Sequence, residues 1–512
     1  MFLPAVLVLA GSRLPGEEPA DEQRLVQIQQ AIQKGDLSGA RAGLEGMLPS
    51  ARPDPRIFNL LGVIDAQENH LDPAEANFRH AIELAPRFAG AYLNLGRLYQ
   101  ERLNAPAKAL GVYSRLLAFD SSNAEANYQS AFLLNQAGKF GLSLEHLSRL
   151  SADAQQRAPA LALLCADNAA LGKRDLARTA ATRLAAAADL TEADVLPILA
   201  GLQDHRAGDL EMQLLEALAE RGLGSRVGLQ ALAGLQEKQG LLKQARATLE
   251  KDLQVEPPSA AVLARLAKLA YQTRDFEGAL GYLAHARDLE PRNASIHFFF
   301  GMVCIELKLP PEARQSLAKA AELDPVQPEY HYALGAVLLQ EKKAEEAIPH
   351  FRQYRDSHPG DPRGNFALGV AYFDAYQVAE ARKELELAAA RPETRVGANL
   401  YLGRLALRED NLDEAAERLK AAVQSNPAAP DAYAELGLVY IRRKQFASAE
   451  TSLKHALKIA PDHYLSNLNL LMLYQRTKDP RAPEQARRVE QLQKAGEERE
   501  RLLLRSLELR PY

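Results

Sequence analysis

The chain has 512 residues, of which 47% are apolar and 25% charged, with a formal net charge of -4. That length suits three or four ordinary domains or one long array, and the charge balance lacks the basic excess of a nucleic-acid binder. No apolar run reaches the ~18 residues that a membrane-crossing helix needs, and two cysteines, Cys165 and Cys304, cannot build a disulfide framework.

In chain order, the first feature is MFLPAVLVLAGS. It resembles the apolar region of a signal peptide, with Ala10 and Ser12 spaced for cleavage between small residues. Residues 1–20 are therefore expected to be a leader, and the protein to be exported to a periplasm or secreted. The basic segment that usually precedes such a run is missing, and without cleavage the expectation reverts to the cytoplasm. No cysteine follows the run, which argues against a lipid anchor.

From Asp21 to His463 the sequence repeats at a period of 34, giving thirteen units. RIFNLLGVIDAQENHLDPAEANFRHAIELAPRF, residues 56–88, aligns with YHYALGAVLLQEKKAEEAIPHFRQYRDSHPGD, residues 330–361. One extra residue is required near Asn104-Ala105, expected between two helices. Position 8 of the unit is small in eleven units, among them Gly62, Cys165, Gly301 and Gly437. Position 20 is alanine in eleven, position 24 is apolar or aromatic in all thirteen, and position 32 is proline in seven.

Each preference has a mechanical reason. Apolar residues at positions 4, 7, 8 and 11 make one stripe on a first helix, and those at 20, 24 and 27 make one on a second. A small residue at 8 opposite alanine at 20 lets the backbones approach. Proline at 32 ends the second helix. Neither helix can bury its stripe alone, but stacked neighbours can.

This pattern resembles the tetratricopeptide repeat family, of the bacterial multi-repeat type, over residues 21–463. The resemblance implies an all-α, right-handed superhelical solenoid whose first helices line a concave groove and bind other proteins. The expected organisation is a block at 21–191, a degenerate repeat and possible kink at 192–225, a second block at 226–463, and capping helices at 464–512. The degenerate unit carries Leu199 at position 8, Glu211 at 20 and Pro197 inside its first helix. The C-terminal segment 484–509 is expected to form a charged capping helix.

Positions 2, 5, 9 and 12 form a second face of the first helix, ~130° from the core stripe. By the resemblance this face is concave. In units 294–327, 328–361 and 362–395 it carries Phe298, Met302, Ile305, Tyr332, Leu339, Phe366, Val370 and Phe373. Contiguous apolar surface of this kind marks either binding or self-packing. The run IHFFFGMVCI then splits three ways: Phe300 inside its repeat, Phe299 against a neighbour, Phe298 into the groove.

No chemistry-bearing motif stands out. There is no Gly-rich phosphate loop, HExxH, CxxC or GxSxG. His297 and Cys304 are seven residues apart, ~10.5 Å along a helix, too far to share one metal with His331. Arg442-Arg443-Lys444 and the pairs Glu345-Glu346 and Glu497-Glu498 read as solvated charge. The family's lysine-asparagine-arginine carboxylate clamp has no match, and only Asn94 fits an asparagine ladder. The expectation is a non-enzymatic scaffold with no metal and no cofactor, binding an apolar segment of another protein or peptide, with neither nucleic acid nor small-molecule substrate. The alternative is an assembly component of envelope polysaccharide or secretion machinery, and a cryptic enzyme stands third.

Overall fold

A computed structural model describes residues 19–48 and 54–494, all of it helical or connecting. The leader at 1–20 and the far end of the capping segment lie outside the described residues, apart from the backbone at its margins. The chain divides into two compact units at Glu256/Pro257. The degenerate repeat 192–225 lies inside the first unit, and the division falls one repeat after it.

The 34-residue frame fixes where helices begin. First helices start at position 1, as in Pro55–Gln67, Ala124–Gln136, Ala158–Ala170, Ala294–Glu306, Pro328–Gln340, Pro362–Asp374 and Pro430–Arg442. Second helices start at position 17, as in Leu71–Leu84, Arg174–Ala186, Pro310–Leu323, Ala344–Ser357 and Phe446–Ile459. In the second unit every helix from Ala260–Gln272 to Tyr464–Thr477 packs on the next in sequence, whereas in the first Arg174–Ala186 packs mainly on Gly208–Glu220. One further first helix, Tyr464–Thr477, follows the last full repeat, and a helix at 482–494 covers it.

Outside the 89–123 unit, the turn inside each repeat is a Schellman motif. In repeat 328–361, Lys342 is left-handed (φ 60°), and the Lys343 N–H donates to Leu338 O at 2.8 Å. The same left-handed residue recurs at position 15 as Gly35, Asn69, Gly138, Gly172, Arg206, Lys308, Tyr376, Asp410 and Lys444. The second helix stops as the proline at 32 requires. Ala85, Asp324 and Ala460, each one residue before that proline, have extended φ of -137°, -137° and -136°.

Two expectations need correction. The extra residue near Asn104-Ala105 is not absorbed in the turn. It widens the end of the first helix into a π-turn, Leu98–Arg102, closed by Leu103 N–H on Leu98 O at 3.1 Å. Glycine at 8 mainly faces the side chain at 24 rather than alanine at 20. A Cβ on Gly62 would lie 2.7 Å from Phe78, one on Gly301 2.6 Å from Leu317, and one on Gly403 2.6 Å from Leu419. The backbone at 20 comes second, with Ala313 O at 3.3 Å from the Gly301 site. Where position 24 shrinks to Ala181, position 8 grows to Cys165, and both are fully buried.

Candidate functional site: the first-helix face of the second unit

Three successive first helices, Ala294–Glu306, Pro328–Gln340 and Pro362–Asp374, carry the predicted aromatic face. Phe298, Met302, Ile305, Tyr332, Leu339 and Phe366 are each half-buried. Val370 and Phe373 are covered, at 8% and 6% exposure. The eight residues therefore grade from partly open at 294–340 to closed near 373.

The covering groups come from within the array. Phe298 lies against Tyr330 of the next repeat, ring centroids 4.8 Å apart. Tyr332 sits beside Phe351 and Tyr354 of its own second helix, at 5.6 and 4.7 Å. Phe366 fills the space left by Gly397, where a Cβ would approach to 2.7 Å. Phe373 lies between Tyr401, at 5.3 Å, and the Arg408 guanidinium, at 3.5 Å. Sequence periodicity placed the face but not these neighbours, because positions 2, 3 and 6 of the following repeat reach over it.

Within the Phe298-Phe299-Phe300 run, the second and third rings fall as expected. Phe300 is 9% exposed and Phe299 meets Tyr271 of the preceding repeat at 5.7 Å. A neighbour missing from the sequence reading also covers Phe300: the Arg287 guanidinium lies 4.5 Å above its ring. Cys304 and Cys165 are buried, which pushes both thiols up to about 12 and leaves them protonated and inert.

The histidines do structural work. His297 Nε2 and His331 Nε2 bond the carbonyls of Pro291 and Pro325 at 3.0 and 3.2 Å, tying each first helix to the end of the preceding second helix. His331 also shares a 3.0 Å hydrogen bond with His350, whose titration burial pushes down. Asn94 is spent on Asn59, at 2.9 Å. Among the described residues one trio, Asp65, Glu68 and His70, has metal-type ligands within reach of one another. Arg41 already binds both carboxylates, at 2.7 and 2.6 Å.

Family models described as tetratricopeptide repeat match residues 264–328, 310–362, 338–399 and 406–471. The chain carries tetratricopeptide repeats over these residues. It is similar to the chloroplastic tetratricopeptide repeat domain-containing protein PYG7 of Arabidopsis thaliana, 34% identical over 99 residues, which is 19% of this chain and 29% of that one. It is also similar to the human protein O-mannosyl-transferase TMTC3, 36% identical over 76 residues, 15% of this chain and 8% of that one. The chain thus spans less than a third of the length of these curated relatives. Among solved structures, a chain of the APC/C hetero-tetramer Cut9-Hcn1 is 14% identical and covers 89% of this chain and 96% of itself, with a TM-score of 0.38. No helix among the described residues is long and apolar enough to cross a membrane.

Proposed function

We propose that the protein is a non-enzymatic scaffold that binds an apolar segment of another protein along the first helices of repeats 294–395. The observation that carries this reading is the run of half-buried Phe298, Met302, Ile305, Tyr332, Leu339 and Phe366 on consecutive repeats. Their side chains keep accessible apolar surface that a partner would bury, and each Å² removed from water contributes ~25 cal/mol. Aromatic and methionine anchors are what the centres of interfaces favour. We propose with it that residues 1–20 act as an export leader.

Phe298→Ser with Phe366→Ser is the test. The helical circular-dichroism signal is expected to persist while crosslinking of a partner to the full chain is lost. A fall in melting temperature of more than about 10 °C with crosslinking retained would show these side chains to be internal packing instead, since ~1 kcal/mol moves a unit of this size by only ~2–4 °C.

A further inference from the structure

A different face, built by second helices, holds unpartnered polar groups. A groove of about 1000 Å³ lies between Phe276–Leu289 and Pro310–Leu323, floored by His297 and Phe300. His297 is 8% exposed and Ser316 4%. His297 Nδ1 and Ser316 Oγ are buried with no hydrogen-bond partner. Leaving such a group unpaired is costly, so two at one groove need an explanation. Arg287 stacks on Phe300 at the same groove and has no carboxylate partner among the described residues.

The protein supplies its own comparison. Arg287, His297 and Ser316 stand at position 28 of one repeat and positions 4 and 23 of the next. Arginine occurs at position 28 in just two of the thirteen units, Arg287 and Arg355. At the second of these the same three positions hold Arg355, Asn365 and Glu384. There the Glu384 carboxylate is 5% exposed and accepts from Arg355 Nη1 at 2.7 Å and from Asn365 Nδ2 at 2.7 Å. In the repeat between them, His350 occupies position 23 and bonds His331. Only the 294–327 repeat pairs the arginine with a side chain too short to reach it.

We propose that this groove binds a carboxylate ligand, which takes the place that Glu384 fills in the later repeat. One oxygen accepts from the Arg287 guanidinium, the other from the Ser316 hydroxyl and His297 Nδ1. His297 Nε2 faces the Pro291 carbonyl oxygen and so carries the proton of the neutral ring. A carboxylate bonded at Nδ1 is therefore paired with a ring that carries a proton on both nitrogens. The other charges at the groove are matched or peripheral: Lys319 pairs with Glu322 at 2.8 Å, Arg314 with Glu341 at 2.9 Å, and Glu312 is exposed at the rim. This inference does not rest on the first-helix face.

The test is calorimetric titration of the full chain at pH 6 with three probes. These are glutarate, acetyl-glutamate amide inside a six-residue glycine-serine peptide, and the same peptide with glutamine. The expected result is saturable binding of a carboxylate probe, no binding of the glutamine peptide, and at least a tenfold loss in Arg287→Gln. Ser316→Glu supplies the carboxylate from within and is expected to abolish binding while the circular-dichroism signal is retained. Glutarate binding alone points to a small acid, and peptide binding to an acidic protein segment. Binding of neither carboxylate, equal binding of the glutamine peptide, or unchanged binding in Arg287→Gln overturns the proposal.

Discussion

The two units use one repeat with different discipline. In the second, five successive repeats place glycine at position 8, Gly301, Gly335, Gly369, Gly403 and Gly437, under leucine or phenylalanine at position 24. In the first, the same position runs Gly62, Gly96, Ala131, Cys165, Leu199 and Ala233, and irregular backbone accompanies the drift. A π-turn interrupts one first helix, one second helix shortens to Phe140–Ser148, and a four-residue helix, Ala152–Gln155, follows it. Among the described residues the first unit also buries four carboxylates, Asp65, Asp167, Glu211 and Asp252, against Glu384 in the second. A solenoid tolerates such drift because each repeat answers only to its neighbours.

The largest effect expected from breaking this comparison is in the regular unit. Gly403→Cys would drive an atom into Leu419 and should cost about 2–3 kcal/mol by denaturant unfolding. Adding Leu419→Ala recreates the Cys165/Ala181 pair of the first unit. The double variant should then be less destabilised than the sum of the singles by more than about 1 kcal/mol.

The next effect is a pH dependence in the irregular unit. Burial pushes the Asp167 carboxyl up to about 6, although the Asn135 amide donates to it at 2.7 Å. The folded state holds this proton more tightly than the unfolded chain. The group therefore costs no stability below about pH 4, and its penalty grows as pH rises toward 6. Asp167→Asn should stabilise the protein by about 2 kcal/mol at pH 7, and the gain should vanish near pH 4. Thermal melts of both proteins across that range check it.

The smallest effect concerns the shared turn. Lys308 and Lys342 are left-handed and exposed, where the first unit uses Gly138, Gly172 and Gly240. Lys342→Gly should gain up to about 1 kcal/mol, and Gly172→Lys should lose a similar amount.

Much of this was legible in the sequence. The period fixes helix starts at positions 1 and 17 because one proline, one alanine and one small residue must recur together to bury both stripes. The site of the insertion was not legible: a residue added anywhere in the turn or the helix end leaves the downstream register unchanged. Nor was the left-handed turn residue, since lysine, asparagine, arginine, aspartate and tyrosine share the position with glycine. The aromatic face was placed from helical angles, but whether Val370 and Phe373 meet water depends on Tyr401 and Arg408, one repeat away. The surroundings of Ser316 were not legible either, because Arg287 and His297 line the same groove from two other helices.

Hydrogen exchange by mass spectrometry, on the full chain alone and with the protein recovered by crosslinking at Phe298, tests the central claim most directly. Slowed exchange should concentrate in Ala294–Glu306, Pro328–Gln340 and Pro362–Asp374. Protection confined to the second helices, or to residues 55–256, would contradict it.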